Sequence, residues 1–404
     1  MKKQKKKHVS KAENPQTRSS STSVENSESI PADLIFEIFS RLTAKSLSRF
    51  RCLSKEWASI FSSRVFTHSF VARSCERPRL LFTFHVDGKL FSYSTPQPPR
   101  NPDQDLSHVV VDNHITIPTR MGSFLIHRPV RGLLCPGDMW FERGCNDSKM
   151  MTIFNPSTGQ FKKLPAARTR RGHVRTYLGY DPIKEEYKVL CMSVRRRTYP
   201  KFSEEHQVLT LGTGKLSWRM IECSLKRYPE IGGICINGVL YYLAYQNDGF
   251  GVGQNFTVIC FDVSSEKFKP LEINLTCSST LINYKGKLGA IQFDQVGFFG
   301  GRTTSLGLMV LDDAEQHIWS KKTYVLPPFW KNLGVDAIAR LNVVGMTGDS
   351  EIVFSPSILS DPFYIFYYDV ERNTVVKVRV QGIDFVKNQY IYTFMDYAED
   401  VKSM

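Results

Sequence analysis

The chain has 404 residues, a formal charge of +14 and an apolar share of 42%. That length leaves room for two or three domains, and the composition is ordinary for a globular chain. It contains no run of ~18 uncharged apolar residues, so no membrane span is expected, and no apolar stretch behind the N-terminal charges that would read as a secretory signal.

Residues 1–29 are polar and serine-rich, with seven Lys or Arg against three Glu. With nothing to bury, this stretch is predicted to be a disordered basic tail. Its KKQKKK run fits either a nuclear-localisation patch or a solubilising tail.

Residues 30–63 are unusually apolar for their length. Leu34, Ile38 and Leu42 recur at helical spacing and line one face, with Ile35 and Phe39 as a second stripe. Pro31 suits a first turn, where Asp33 meets the positive end of the helix dipole. Thr43 or Ser46 is a start for a second helix through Leu47, Phe50 and Leu53. Ser54 is a cap for a third carrying Trp57 and Ile60. Units below ~40 residues rarely fold alone, so a partner is expected to cover part of this surface. Residues 64–77 read as a last helical turn and a linker.

From Leu80 the period changes. LLFTF, YKVLCM, VLYYLAY, TVICFDV, GLMVLD and FYIFYYDV are short apolar or alternating runs. Asp87-Gly88, Asn237-Gly238 and Lys285-Gly286 separate such runs as turns, which argues an all-β domain. Each of TIFNPSTGQFKKL, LTLGTGKLSWRMI, ICFDVSSEKFKPL, MVLDDAEQHIWSKK and FYYDVERNTVVKV is a strand, a polar turn and a new strand. Phe161, Trp218, Phe268, Trp319 and Val376 hold the equivalent position, 57, 50, 51 and 57 residues apart. Four strands in about fifty residues is the content of a kelch-like propeller blade. The expected fold is a small all-α module followed by a mainly-β domain, a kelch-like β-propeller of about six blades. A β-sandwich is the alternative, because the repeat is degenerate.

The nine cysteines include no C-x-x-C pair, and Cys191, Cys235 and Cys260 sit inside strand-like runs. Reduced, buried thiols are the reading, which places the chain in cytoplasm or nucleus. Neither cysteines nor histidines show zinc-ligand spacing. The basic body raises nucleic acid as a partner, but acids interleave with the bases and no nucleic-acid motif is present. A solvated basic surface is the preferred reading. G-x-S-x-G is absent, and GFGVGQ at 249–254 lacks the order that cradles phosphates. No catalytic residue, metal or cofactor is expected.

Ile30-Pro31, Leu34, Ile38, Arg41-Leu42, Lys45-Ser46-Leu47, RFRCLSKE at 49–56 and Trp57 together resemble an F-box. Thr43 departs from the proline usual after Arg-Leu, and Ile30 from the commoner leucine. The GLLC strand (132–135), the NPSTGQ turn (155–160) and the GYDP to YKVL pair (179–190) closely resemble plant-type F-box proteins with a C-terminal F-box-associated interaction domain. The resemblance implies a non-catalytic subunit of an SCF-type cullin–RING ubiquitin ligase. Its F-box would dock on a Skp-type adaptor, and through it on cullin and RING protein. Its β domain would hold an unknown protein target. The adaptor-binding candidates are Pro31, Leu34, Ile38, Leu42, Leu47, Leu53 and Trp57. The domains are then 1–29 tail, 30–70 F-box, 71–79 linker, 80–395 propeller-like domain and 396–404 C-terminal tail. A scaffold or propeller enzyme not coupled to ubiquitination is the alternative.

The target site is read from the residues alone. AARTRRGHVRT and SVRRRTYP flank one hairpin, whose two ends must lie close together. Arg168, Arg170, Arg171, Arg175, Arg195, Arg196 and Arg197 are therefore expected to form one cationic patch for an acidic or phosphorylated segment. A solvated loop pair is the plainer reading.

Overall fold

Four helices open the described chain: α1 (Ala32–Phe39), α2 (Ala44–Phe50), α3 (Lys55–Ser62) and α4 (Arg64–Glu76). The computed structural model describes residues 30–98, 108–118, 125–140, 151–169, 173–194, 202–212, 214–230, 232–245, 256–276, 279–294, 303–327 and 341–402. Three starts carry hydroxyl caps. Thr43 accepts from the Ser46 N–H, Ser54 from those of Glu56 and Trp57, and Ser63 from that of Phe66. Beyond the end of α1, the Arg77 guanidinium donates to the carbonyls of Ser40 and Arg41 at 3.2 and 2.8 Å.

Residues 71–79 are not the linker that the sequence suggests. Val71 and Ser74 are buried in α4, the helix runs to Glu76, and the first strand begins at Arg79. The apolar pattern is masked there because polar Thr67 and Ser74 share the buried face.

The strands follow in chain order. β1 (Arg79–Val86), β2 (Lys89–Pro96), β3 (His108–Val110) and β4 (Asp112–Pro118) come first. β5 (Leu125–Ile126), β6 (Pro136–Trp140), β7 (Thr152–Phe154) and β8 (Phe161–Lys163) are short. β9 (His173–Asp181), β10 (Glu186–Val194), β11 (Ser203–Thr210) and β12 (Arg219–Ile221) form a meander. β13 (Tyr228–Pro229), β14 (Ile234–Ile236), β15 (Val239–Tyr245), β16 (Phe256–Asp262) and β17 (Phe268–Leu275) share the next sheet. β18 (Thr280–Tyr284), β19 (Lys287–Phe293), β20 (Ser305–Asp313) and β21 (Ile318–Val325) make another. β22 (Leu341–Met346), β23 (Glu351–Pro356), β24 (Phe363–Asp369) and β25 (Thr374–Gln381) precede the last strand, β26 (Ile391–Tyr397).

These strands form a β-propeller. β26 pairs antiparallel with β1, Phe82 opposite Thr393, so the last strand closes the ring on the first. Apolar seams join each sheet to the next. Phe84, Val353 and Ile365 fill one, Ile291, Leu308 and Phe366 a second, and Val258, Leu288 and Met309 a third. Burying a side chain such as Phe366 contributes roughly 1.5–3 kcal/mol. Closure leaves only outer edges open to other chains.

Among the described residues five sheets have four or more strands, so the propeller has five full blades rather than the expected six or so. Among the described residues the remaining sector holds the β7–β8 ladder and a bridge from Leu134 to Phe154. The reason lies just after Cys135. There β6 leaves the ladder and pairs with β9 instead, Asp138 opposite Arg175. The strand that would widen this sector is thereby used in its neighbour's six-stranded sheet.

Candidate functional site

The first site is the helical unit. Phe39, Ala44, Leu47, Phe61, Phe66 and Phe70 form its core, with Ile35, Phe36, Leu42, Phe50, Trp57 and Ile60 packed around them. The rings meet edge to face: Phe39 lies 5.1 Å from Trp57 and 4.9 Å from Phe61 between centroids. Leu47 is 2% exposed, so it belongs to the unit's own interior.

Leu34, Ile38 and Leu53 differ. They are 54%, 53% and 71% exposed, and Ile30 and Pro31 are exposed as well. Of the seven candidates, the structure thus leaves Pro31, Leu34, Ile38 and Leu53 open, half-buries Leu42 and Trp57, and encloses Leu47. Helical spacing alone could not separate these groups, because both stripes of α1 are apolar. On the same helix, Glu37 bonds Arg41 at 2.6 Å and, from α4, Arg73 at 2.5 Å. The Arg73 bond holds the Glu37 carboxyl below its ordinary range.

The helical unit is joined to the propeller through residues that the sequence reading assigned to a C-terminal tail. Tyr397 ends β26 fully buried, and Ala398, Glu399, Asp400 and Val401 are buried after it. Val401 enters the helical core. Glu399 Oε2 accepts from the Ala44 N–H at 3.2 Å, and the Glu399 N–H donates to Ser74 Oγ at 2.7 Å. Burial pushes the Glu399 and Asp400 carboxyls up. On the other side Arg64 bonds Glu185 at 2.6 Å, and Lys45 Nζ reaches the Asn113 carbonyl at 2.8 Å.

Two turns read from the sequence support this joint. Asn155 accepts from the N–H groups of Ser157 and Thr158 and donates to the Asp400 carbonyl at 2.9 Å. Gly159 has φ of +75°, and a Cβ there would lie 2.7 Å from Ile115 Cδ1. Asp181 Oδ1 accepts from the N–H groups of Ile183 and Lys184, folding the β9–β10 turn against Arg64 through Glu185.

The strand ends next to the expected cationic patch are at the opposite end of that hairpin. Ser193 pairs with Val174, so the strand ends that bracket 170–172 and 195–201 lie side by side, away from the helices. Arg170, Arg171, Arg195, Arg196 and Arg197 lie outside the described residues. Arg168 is exposed, and its backbone is held by Gln207 through two bonds of 3.0 Å. Arg175 is corrected: at 5% exposure it is an interior residue. It bonds the Pro229 carbonyl, lies 3.5 Å from Glu230 and 3.8 Å from Asp138, and stacks over Tyr228. β9 is buried on both faces, Val174 and Thr176 included, so Arg175 is interior whichever face it takes, and four arginines in ten residues disguise that in the sequence. His173 bonds Asp138 in the same cluster.

The aromatic markers of the repeat divide. Trp218 is buried and donates to the Pro165 carbonyl at 2.8 Å, while Phe161 is 55% exposed. Seven described cysteines are free thiols, and burial pushes those of Cys135 and Cys260 up to about 12. Among the described residues no three His, Cys, Asp or Glu side chains are grouped to hold a metal.

Comparison with known proteins adds the following. Residues 28–69 match the model of the F-box domain, and residues 79–398 that of the F-box associated beta propeller domain. F-box protein At3g49450 of Arabidopsis thaliana is 45% identical, over 99% of this chain and 99% of its own length. F-box protein DOR of the same plant is 44% identical over 94% of this chain and 95% of its own. F-box protein At5g65850 of Arabidopsis thaliana is 40% identical over 95% and 93%.

Proposed function

The chain belongs to the F-box proteins with an F-box-associated β-propeller, and from that membership we propose that it is the substrate-recognition subunit of an SCF-type cullin–RING ubiquitin ligase. The F-box docks on a Skp-type adaptor, which links it to cullin and RING protein. The propeller holds a protein target in the cytoplasm or nucleus. The chain itself contributes proximity and orientation, and its partners carry the chemistry.

One observation carries the reading. Leu34, Ile38 and Leu53 stay more than half exposed although the same unit has a filled aromatic core. A unit that packs so well gains nothing in water from three open aliphatic side chains, but a partner surface does. Target capture is assigned to the end of the propeller away from the helices, where the strand ends around 170–172 and 195–201 meet. That placement leaves the adaptor face free when a target is bound.

The test is co-purification of the full chain with a Skp-type adaptor. The parent chain is expected to retain the adaptor. A Leu34→Ala/Ile38→Ala/Leu53→Ala variant is expected to lose it with an unchanged thermal melt. Equal recovery from both would remove the proposal.

A further inference from the structure

The blade β18-β19-β20-β21 ends in an eight-residue strand with no outer neighbour among the described residues. An edge strand offers unpaired N–H and C=O groups that an extended chain can complete. The next blade shows that an outer edge of this propeller accepts such an addition. There β3 lies parallel on β25, His108 opposite Arg379 and Val110 opposite Gln381. Of the other long edges, β17 is less suited, because Pro270 removes a donor and the pairing shifts register between Phe256 and Val258, and β4 gives its Asn113 carbonyl to Lys45 and shifts register between Ser92 and Tyr93. β12 has only three residues.

The side chains of β21 say what it would select. Adjacent strand residues project to opposite faces. Trp319 packs toward the β13–β17 blade and Tyr324 toward the β22–β25 blade. Lys321 shares the face of Trp319. Lys322 shares that of Tyr324, with its Nζ 5.0 Å above the ring. Both lysines are exposed, and no carboxylate lies within salt-bridge distance of either among the described residues. Ile318 and Val325, near the strand's ends, are 48% and 73% exposed.

We propose that β21 is a docking edge for an extended acidic peptide segment, which adds to this blade as a fifth strand. Two consecutive acidic residues stand opposite Lys321 and Lys322, one on each face, and apolar residues cover Ile318 and Val325. Consecutive acids are required because the two lysines are consecutive and lie on opposite faces. Edge lysines ordinarily guard against unwanted pairing. Here they exclude a second copy of the chain, which would set lysine against lysine, while an acidic strand is attracted. This edge is separate from the adaptor face, so the proposal stands or falls independently of ligase assembly.

The experiment uses the full chain and a synthetic ten-residue peptide with two central glutamates flanked by valine and threonine. A control peptide carries lysines at the two central positions. Fluorescence anisotropy reads affinity, and hydrogen exchange reads protection of the β21 amides. The acidic peptide is expected to bind, protect β21, and bind roughly ten-fold tighter than the control. A Lys321→Glu/Lys322→Glu variant, with an unchanged melt, should reverse that preference. The proposal is overturned by equal affinity for both peptides, by no binding at millimolar peptide, or by an unchanged preference in the variant. Protection of β21 by self-association without peptide would also overturn it.

Discussion

Glu399 accepts a hydrogen bond from the backbone N–H of Ala44 across the joint between propeller and helices, at 3.2 Å. The carboxylate satisfies one of the N–H groups that open α2, beside the hydroxyl cap of Thr43. The chain after β26 therefore serves as a strap. Glu399→Ala should cost about 1–3 kcal/mol by leaving that buried N–H unpaired. Glu399→Gln, which keeps an acceptor, should cost less. Urea melts measure the difference, and limited proteolysis near Arg77–Pro78 should quicken in the alanine variant. Identical melts for all three chains would refute the strap.

The open and enclosed residues of the helical unit should separate by phenotype. Leu47→Ala is expected to destabilise the unit by about 2–5 kcal/mol, as a cavity in an aromatic core does. Leu53→Ala, at a site 71% exposed, should leave the melt unchanged and weaken adaptor binding by about 2–4 kcal/mol if it is a central contact. Calorimetric melts and adaptor titration of the two variants give the comparison. A reversal of the two phenotypes would contradict the assignment.

Much of this division was out of reach of the sequence, and the reasons are local. The cap at Ser54 was legible because a hydroxyl residue precedes apolar periodicity, and Thr43 was one of two such candidates, the other being Ser46. The blade repeat was legible because Asn237-Gly238 and Lys285-Gly286 mark hairpins, each with both residues at positive φ. Which stripe of α1 faces inward was not, since it depends on Phe61 and Phe66 arriving from α3 and α4. Nor was the strap, whose closing residues Glu399 and Asp400 read as a polar end. The blade count failed where β6 pairs outside its own sector, a choice made by tertiary contacts with β9.

The arginines near the β9–β10 hairpin should likewise split. Arg175→Ala should cost about 3–5 kcal/mol, because Asp138 and Glu230 lose a buried counter-charge. Reversing Arg170, Arg171, Arg195 and Arg196 to Glu should leave stability unchanged and reduce target capture. Capture by the parent should also weaken as salt rises, since exposed charges are screened beyond ~8–10 Å. Urea melts, and recovery of trapped targets under proteasome inhibition, measure the two effects. Undiminished target recovery would move the target site to other loops.

Acid should loosen the propeller through its buried histidines. Burial lowers the pKa of His114, His127 and His206 to about 4 in each case. Between pH 4 and 6.5 these three histidines bind more protons in the unfolded chain than in the folded one. Their contribution is therefore complete above pH 6.5 and lost as pH falls toward 4. Glu399 and Asp400, whose carboxyls are raised, act with the opposite sign and offset part of the loss. The His127 ring packs at a tilt against Tyr177, 4.8 Å between centroids, so His127→Phe keeps the ring contact and removes the titration. The variant should lose on the order of 3 kcal/mol less than the parent over this range. Parallel stability–pH curves would exclude the effect.

The central claim is that the open aliphatic face of the helical unit is an adaptor-docking surface. Titration of purified full-length chain with a Skp-type adaptor, followed by calorimetry, tests it most directly. The account predicts a one-to-one complex, abolished by Leu34→Ala/Ile38→Ala/Leu53→Ala while the melt of the variant matches the parent. Absence of binding by a correctly folded parent chain at micromolar concentration, or undiminished binding by the triple variant, would contradict it.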